Sequence, residues 1–268
     1  MPTDIALGVT SGDCVAVVGA GGKTTLCWVL VQHLAQTGRV VFTTTTHIRR
    51  PAPGVFDVVR VGGEVSGTFE VPLTSPLPWR TACVASGIVG VADDTPLPES
   101  GMPVVHTRLK GLTGQQVCDL RSAFANPQSP ISSRQSPVSF VIEADGARGL
   151  WLKAPAEHEP AIPSCATAVC VVANLQVLGR PLDGRVAHRP KRIAALAGIA
   201  EGQPITPRVL VDTLTHPQGG LKGIPAQTRK VAVLMHPAGL PPPPEAESIT
   251  RELMALGYDL AVTLERAG

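Results

Sequence analysis

The segment Gly19-Ala20-Gly21-Gly22-Lys23-Thr24-Thr25 sets three glycines, one ammonium and two hydroxyls in seven consecutive residues. In a tight turn of small residues, successive backbone N–H groups can point inward, and a helix starting where the turn ends adds the positive end of its dipole. That combination suits a polyphosphate. Lys23 is then placed to neutralise β and γ phosphates, and the Thr24 hydroxyl to ligate Mg²⁺.

The common phosphate loop, GxxxxGK[ST], carries its first glycine where this chain has Val17, so the loop here is shorter. The spacing GxxGKTT resembles the loop of the Mur ligases and folylpolyglutamate synthases, which bind ATP. Thr43, Thr44, Thr45 and Thr46 follow a second apolar run. Threonine favours strands for conformational reasons alone. At the end of a parallel strand, however, a hydroxyl can also reach a metal or phosphate, and Thr45 and Thr46 are better placed than Thr43.

Phe140-Val141-Ile142-Glu143-Ala144-Asp145-Gly146 reads as a strand ending in two carboxylates that strand periodicity sends to one side. Metal-assisted phosphoryl transfer needs one carboxylate for the metal shell and one to orient water. Asp145 is assigned here to the metal and Glu143 to the water, and the two can be exchanged; with Lys23 they form the catalytic set. Further cations lie downstream: Arg148, Lys153, His188 and Arg189, and Lys222 in a second glycine loop, Gly219-Gly220-Leu221-Lys222-Gly223. Each is a candidate for contact with nucleotide or with an anionic substrate. Glu157-His158-Glu159-Pro160 sets two acids around a histidine but lacks HExxH spacing, which favours structural hydrogen bonding over a metal site.

The elements that must carry these residues alternate. Residues 14–18 form an apolar strand, and residues 24–37 place Leu26, Leu30 and Leu34 on one helical face stopped by Gly38. Residues 39–44 give the next strand, a βαβ unit that requires a parallel sheet. Short strands or a hairpin are expected over 58–65 and 71 around Gly62-Gly63, and alternating apolar residues over 81–91. A helix is expected over 114–125, strands over 138–143, 166–174, 230–235 and 259–264, and helices over 190–198, 207–214 and 245–256. The reading is one α/β domain over residues 1–268, P-loop NTPase-like, with a mostly parallel sheet flanked by helices. A polar, proline-punctuated stretch at 126–137 reads as a flexible surface insertion and residues 237–244, with four consecutive prolines, as an extended spacer.

The 268 residues are 44% hydrophobic with a mean hydropathy of +0.18, enough for a sizeable core. Lys and Arg number 23 against 21 acidic residues, a net charge of +2, which predicts no general attraction to nucleic acid or membrane. A start of Met1-Pro2-Thr3-Asp4 and short apolar runs point to a cytoplasmic location. The six cysteines show no CxxC pair or zinc-like spacing and read as reduced, mostly buried small hydrophobes.

Taken in order, GAGGKTT, TTTTHI, EADGARGLWLKAPAEHEPAIP, HRPKRI and GGLKGIPAQTRK resemble the YqeC family, accessory proteins of selenium-dependent molybdenum hydroxylases. The resemblance implies a nucleotide-binding protein that helps supply a labile selenium-containing cofactor to a molybdenum hydroxylase such as xanthine dehydrogenase. Residues Gly19, Gly22, Lys23, Thr24, Glu143, Asp145, Lys153, Glu157, His158, Glu159, His188, Arg189, Lys222 and Gly223 fall on the family's motifs. After a late strand, family members often carry an N-[KQ]-x-D turn that in GTPases reads guanine, whereas this chain has Met235-His236-Pro237-Ala238. The expected cofactors are therefore Mg²⁺ with ATP in preference to GTP, or a base-tolerant site.

Three functions compete on this reading. The first is a Mg²⁺-dependent nucleoside triphosphatase in cofactor maturation. The second is an ATP-dependent ligase or kinase acting on a cofactor precursor, and the third a non-catalytic, nucleotide-gated carrier that docks a hydroxylase.

Overall fold

In strand β1 (Cys14–Gly19), Cys14, Ala16 and Val18 are buried against one core and Val15 and Val17 against another. Burial on both faces is the condition of a parallel strand with helices above and below it. The computed structural model describes residues 7–49, 58–61, 80–92, 105–126, 128–129 and 137–266. After β1 come α1 (Lys23–Leu34), β2 (Arg39–Thr44), β3 (His47–Arg49), β4 (Val58–Val61), β5 (Thr81–Ala85), β6 (Gly87–Ala92), β7 (Val105–Lys110), α2 (Gly114–Ala125) and β8 (Val138–Glu143). The chain continues through β9 (Leu152–Lys153), β10 (Ala168–Asn174), a 3-10 turn (Leu175–Val177), β11 (Ala187–His188), α3 (Pro190–Ala197), α4 (Pro207–Thr215), β12 (Arg229–Pro237), α5 (Ala246–Ala255) and β13 (Leu260–Arg266).

Eight strands form one sheet in the order β13-β12-β10-β1-β8-β2-β5-β4, and every pairing in it is parallel. Leu26, Leu30 and Leu34 of α1 cover one face with Val15, Val17 and Val172. Leu120 and Phe124 of α2, Ile193 of α3, Leu210 of α4 and Leu253 of α5 cover the other with Ala16, Phe140 and Val171. Each such Leu or Phe contributes about 1.5–3 kcal/mol by leaving water. The α/β class and the helix-flanked parallel sheet are those expected.

β4 is one of the short strands expected and a parallel neighbour of β5, while residues 62–79, including Gly62, Gly63 and Val71, lie outside the described residues. Three details differ from the sequence reading. Residues 81–91 divide at Ser86 into β5 of the large sheet and β6 of a three-stranded antiparallel sheet, β3-β7-β6. Ser86 makes that division possible: its N–H and hydroxyl bond the carbonyls of Lys110 and Gly111. Pro237 ends β12, and α5 and β13 return to pack on the main sheet, so residues 237–244 are a short connection inside the domain. Cys118 and Cys165 are joined in a disulfide between α2 and the approach to β10, while Cys14, Cys27, Cys83 and Cys170 are free and buried.

Most of the expected insertion at 126–137 lies outside the described residues. Among the described residues, no helix is long and apolar enough to cross a membrane.

Candidate functional site

The C-terminal ends of four adjacent parallel strands meet at one place. Gly19 ends β1, Glu143 ends β8, Thr44 ends β2 and Asn174 ends β10. Open parallel sheets bind ligands beyond this edge. The turn 20–22 joins β1 to α1, whose N-terminus therefore faces the same edge.

Two glycines of the turn have physical reasons to be glycine. Gly21 has φ +81°, and a Cβ there would lie 2.5 Å from Asn174 Cβ and 2.9 Å from the Trp151 carbonyl oxygen. Gly22 has φ +152°, and its Cβ would meet Met235 Cγ at 2.7 Å. The left-handed region is open to glycine at little cost, and at Gly21 and Gly22 the turn packs against Asn174 of β10, Trp151 and Met235 of β12 with no room for a side chain. Asn174 fixes it further by donating from Nδ2 to the Gly21 carbonyl at 3.1 Å.

The carboxylates at the end of β8 have different surroundings. Glu143 Oε2 accepts from the Thr24 hydroxyl at 3.0 Å, and its other oxygen is 4.0 Å from Lys23 Nζ. Burial raises the Glu143 pKa and neighbouring Asp145 adds to the rise, against the opposing effects of Lys23, Thr24 and Lys153. Asp145, only 2% exposed, accepts from the Gly19 N–H at 3.0 Å and pairs with Lys153 Nζ at 2.8 Å. Its Oδ1 lies 3.2 Å from Lys23 Nζ but makes no aligned hydrogen bond, while the Lys23 ammonium donates to the Gly19 carbonyl at 2.8 Å.

From Asp145 the charges continue outward in alternation. Lys153 Nζ also reaches Glu159 Oε2 at 2.8 Å and the Gly146 carbonyl at 2.6 Å. Glu159 Oε2 accepts from Arg189 Nη1 at 2.8 Å and from the Ala156 N–H at 3.2 Å. Burial works to raise the Glu159 pKa, but the Lys153 and Arg189 hydrogen bonds prevail and bring it down to about 2. Glu143, Lys23, Asp145, Lys153, Glu159 and Arg189 thus form one chain of alternating sign.

The remaining expected residues separate into those near this chain and those away from it. Thr45 donates its N–H to the Glu143 carbonyl, and its hydroxyl is buried without a hydrogen-bond partner among the described residues. Thr24 and Arg148 are exposed, and Arg148 has φ 52°. Lys222, in the second glycine loop, donates from its ammonium to the carbonyls of Ala156, at 2.5 Å, and Glu157, at 2.9 Å, and so braces the segment that carries Glu159. Glu157 and His158 are exposed, and the described residues hold no His/Cys/Asp/Glu group suited to a metal.

Sequence reasoning did not single out Asn174 or Met235 as partners of the loop. Asn174 carried one usable signal, a polar residue closing an apolar strand. Met235 carried none, because its contact is made from another part of the chain.

A protein-family model described as YqeC protein matches residues 15–191. The chain is 31% identical over 221 residues to "Uncharacterized protein YqeC" of Escherichia coli (strain K12), covering 81% of this chain and 73% of the relative. No solved structure matches the chain.

Proposed function

The chain belongs to the YqeC family, and from that premise we propose that it binds a Mg²⁺ nucleoside triphosphate at the edge formed by β1, β8 and β10. The observation that carries this reading is the meeting of Lys23, Thr24 and Glu143 beside a glycine turn at a helix N-terminus. Lys23 gives up one aligned hydrogen bond, to the Gly19 carbonyl, when it turns to phosphate oxygens. Asp145 keeps Lys153 as counterion in that event, so no buried carboxylate is stranded.

The donor set fits a divalent cation. Thr24 and Glu143 would hold it, with the orphaned Thr45 hydroxyl at the same strand ends. Bound there, Mg²⁺ supplies charge neutralisation on the β and γ phosphates. The roles first assigned to the two carboxylates are accordingly revised: Glu143 serves the metal, and Asp145 fastens Gly19 and Lys153. ATP or a base-tolerant site is favoured over strict guanine selection, because Met235-His236-Pro237-Ala238 stands at the end of β12 in place of an N-[KQ]-x-D turn.

Hydrolysis is the activity we assign first, with Lys23 stabilising charge that develops on the γ-phosphoryl group. Its use in maturing selenium-dependent molybdenum hydroxylases rests on the family resemblance. Phosphate release should be measured with Mg-ATP and Mg-GTP for the wild type and Lys23→Ala. Release by the wild type above the variant supports hydrolysis, and equal background rates remove it.

A second reading, transfer to another substrate, is favoured by one observation. Asp145 is sealed among Gly19, Lys23 and Lys153, and Glu143 is committed to Thr24, so neither carboxylate stands free to orient water. On that reading turnover rises only when the second substrate is added.

A further inference from the structure

The outer end of the charge chain carries more positive than negative charge. Within the chain three carboxylates balance three cations. Arg148 stands outside that balance: it is exposed, and no hydrogen bond or ion pair engages its side chain among the described residues. Arg189 spends Nη1 on Glu159 and the Ala154 carbonyl, which leaves the Nε and Nη2 donors of a 26%-exposed side chain without a partner there. His188 is the register partner of Lys153 in the parallel β9–β11 ribbon, so both side chains leave the ribbon on one face.

The β9–β11 register sets His188 beside Lys153, and Glu159 joins Lys153 to Arg189. Burial lowers the His188 pKa, and Arg189, Lys153 and Arg148 lower it further, with Glu159 alone opposing. The adjacent Glu159 shows what such a place accepts. One of its carboxylate oxygens is held by an ammonium, a guanidinium and a backbone amide together.

We propose that Arg148, His188 and Arg189 form a binding site for a second, small oxygen-rich anion, a carboxylate or a tetrahedral oxyanion, across Asp145 from Lys23. As the acceptor or donor that meets the nucleotide, this anion rests on the nucleotide reading; as a binding site it does not. Guanidinium groups match both oxygen geometries through paired N–H donors.

The test is an NMR titration of the His188 imidazole with sodium sulfate and with sodium acetate, at ionic strength held constant with chloride. It is run on the wild type, on Lys23→Ala, which removes the phosphate-loop cation, and on Arg148→Gln. A saturable rise of the His188 pKa of about one unit is expected, since a nearby anion favours imidazolium. The rise should persist in Lys23→Ala, and Arg148→Gln should weaken the anion about tenfold. A preference for sulfate assigns a tetrahedral oxyanion and a preference for acetate a carboxylate. The proposal is overturned if neither anion gives a saturable shift, if Lys23→Ala abolishes it, or if Arg148→Gln leaves the affinity unchanged. Because Lys23→Ala is tested without nucleotide, failure of the nucleotide reading leaves this result interpretable on its own.

Discussion

The hydroxyl of Thr24 donates to Glu143 Oε2 at 3.0 Å, joining the first turn of α1 to the last residue of β8 across 119 positions of sequence. On the proposed nucleotide reading, this contact selects Glu143 rather than Asp145 as the carboxylate that would face the nucleotide. Glu143 is partly open and shares its oxygen with a hydroxyl that can turn to a metal. Asp145 is enclosed and already bonded to the loop amide that it would otherwise have to leave.

Affinity for Mg-nucleotide should rise with pH across the acid range. Burial holds the Glu143 pKa above its ordinary value of 4.5, so a proton must leave before the carboxylate can serve a cation. Calorimetric titrations from mildly acid to neutral pH should show affinity that increases with pH, with proton release on binding at the acid end. Glu143→Gln should flatten the dependence. A wild-type affinity independent of pH would place the metal elsewhere.

Gly22→Ala should destabilise the protein by about 1–3 kcal/mol, from a strained backbone and a clash with Met235. Urea denaturation measures it. Met235→Ala in the same chain should restore only the part due to the clash, because φ remains +152°. Complete rescue would mean that the backbone conformation carries no cost.

Much of this was legible before any coordinates. Apolar runs ending in Gly19, Thr44, Glu143 and Asn174 identified four central strands of the sheet, because strands buried on both faces read as continuous hydrophobic stretches. The glycine-lysine-threonine loop and the paired acids were legible from residue type alone. What stayed hidden depends on long-range contact. The β9–β11 ribbon has two residues in each strand, too few for any periodicity, yet it places Lys153 and His188 side by side. Lys222 reaches carbonyls 65 and 66 residues away, and Cys118 finds Cys165 at a separation of 47. No local pattern encodes either meeting.

Lys153→Met should cost about 3–5 kcal/mol, since it leaves the buried Asp145 and the half-buried Glu159 with fewer counterions. Adding Glu159→Gln should recover part of that loss. A cost below about 1 kcal/mol would show the pair to be no stronger than a surface bridge.

Acid stability should carry the signature of Glu159. Its pKa falls from 4.5 to about 2 on folding, so its contribution is complete above pH 4.5 and disappears as pH falls through 2. Thermal melts of the wild type and Glu159→Gln should converge over that window. Curves that stay parallel down to pH 2 would mean the carboxylate titrates alike in both states.

The most direct test is isothermal calorimetry of Mg-ATP and Mg-GTP against the wild type and Lys23→Ala at neutral pH. The account predicts one site per chain in the wild type and a loss of at least about tenfold in affinity in the variant. No binding heat with either nucleotide, or equal affinity in the two proteins, would contradict it.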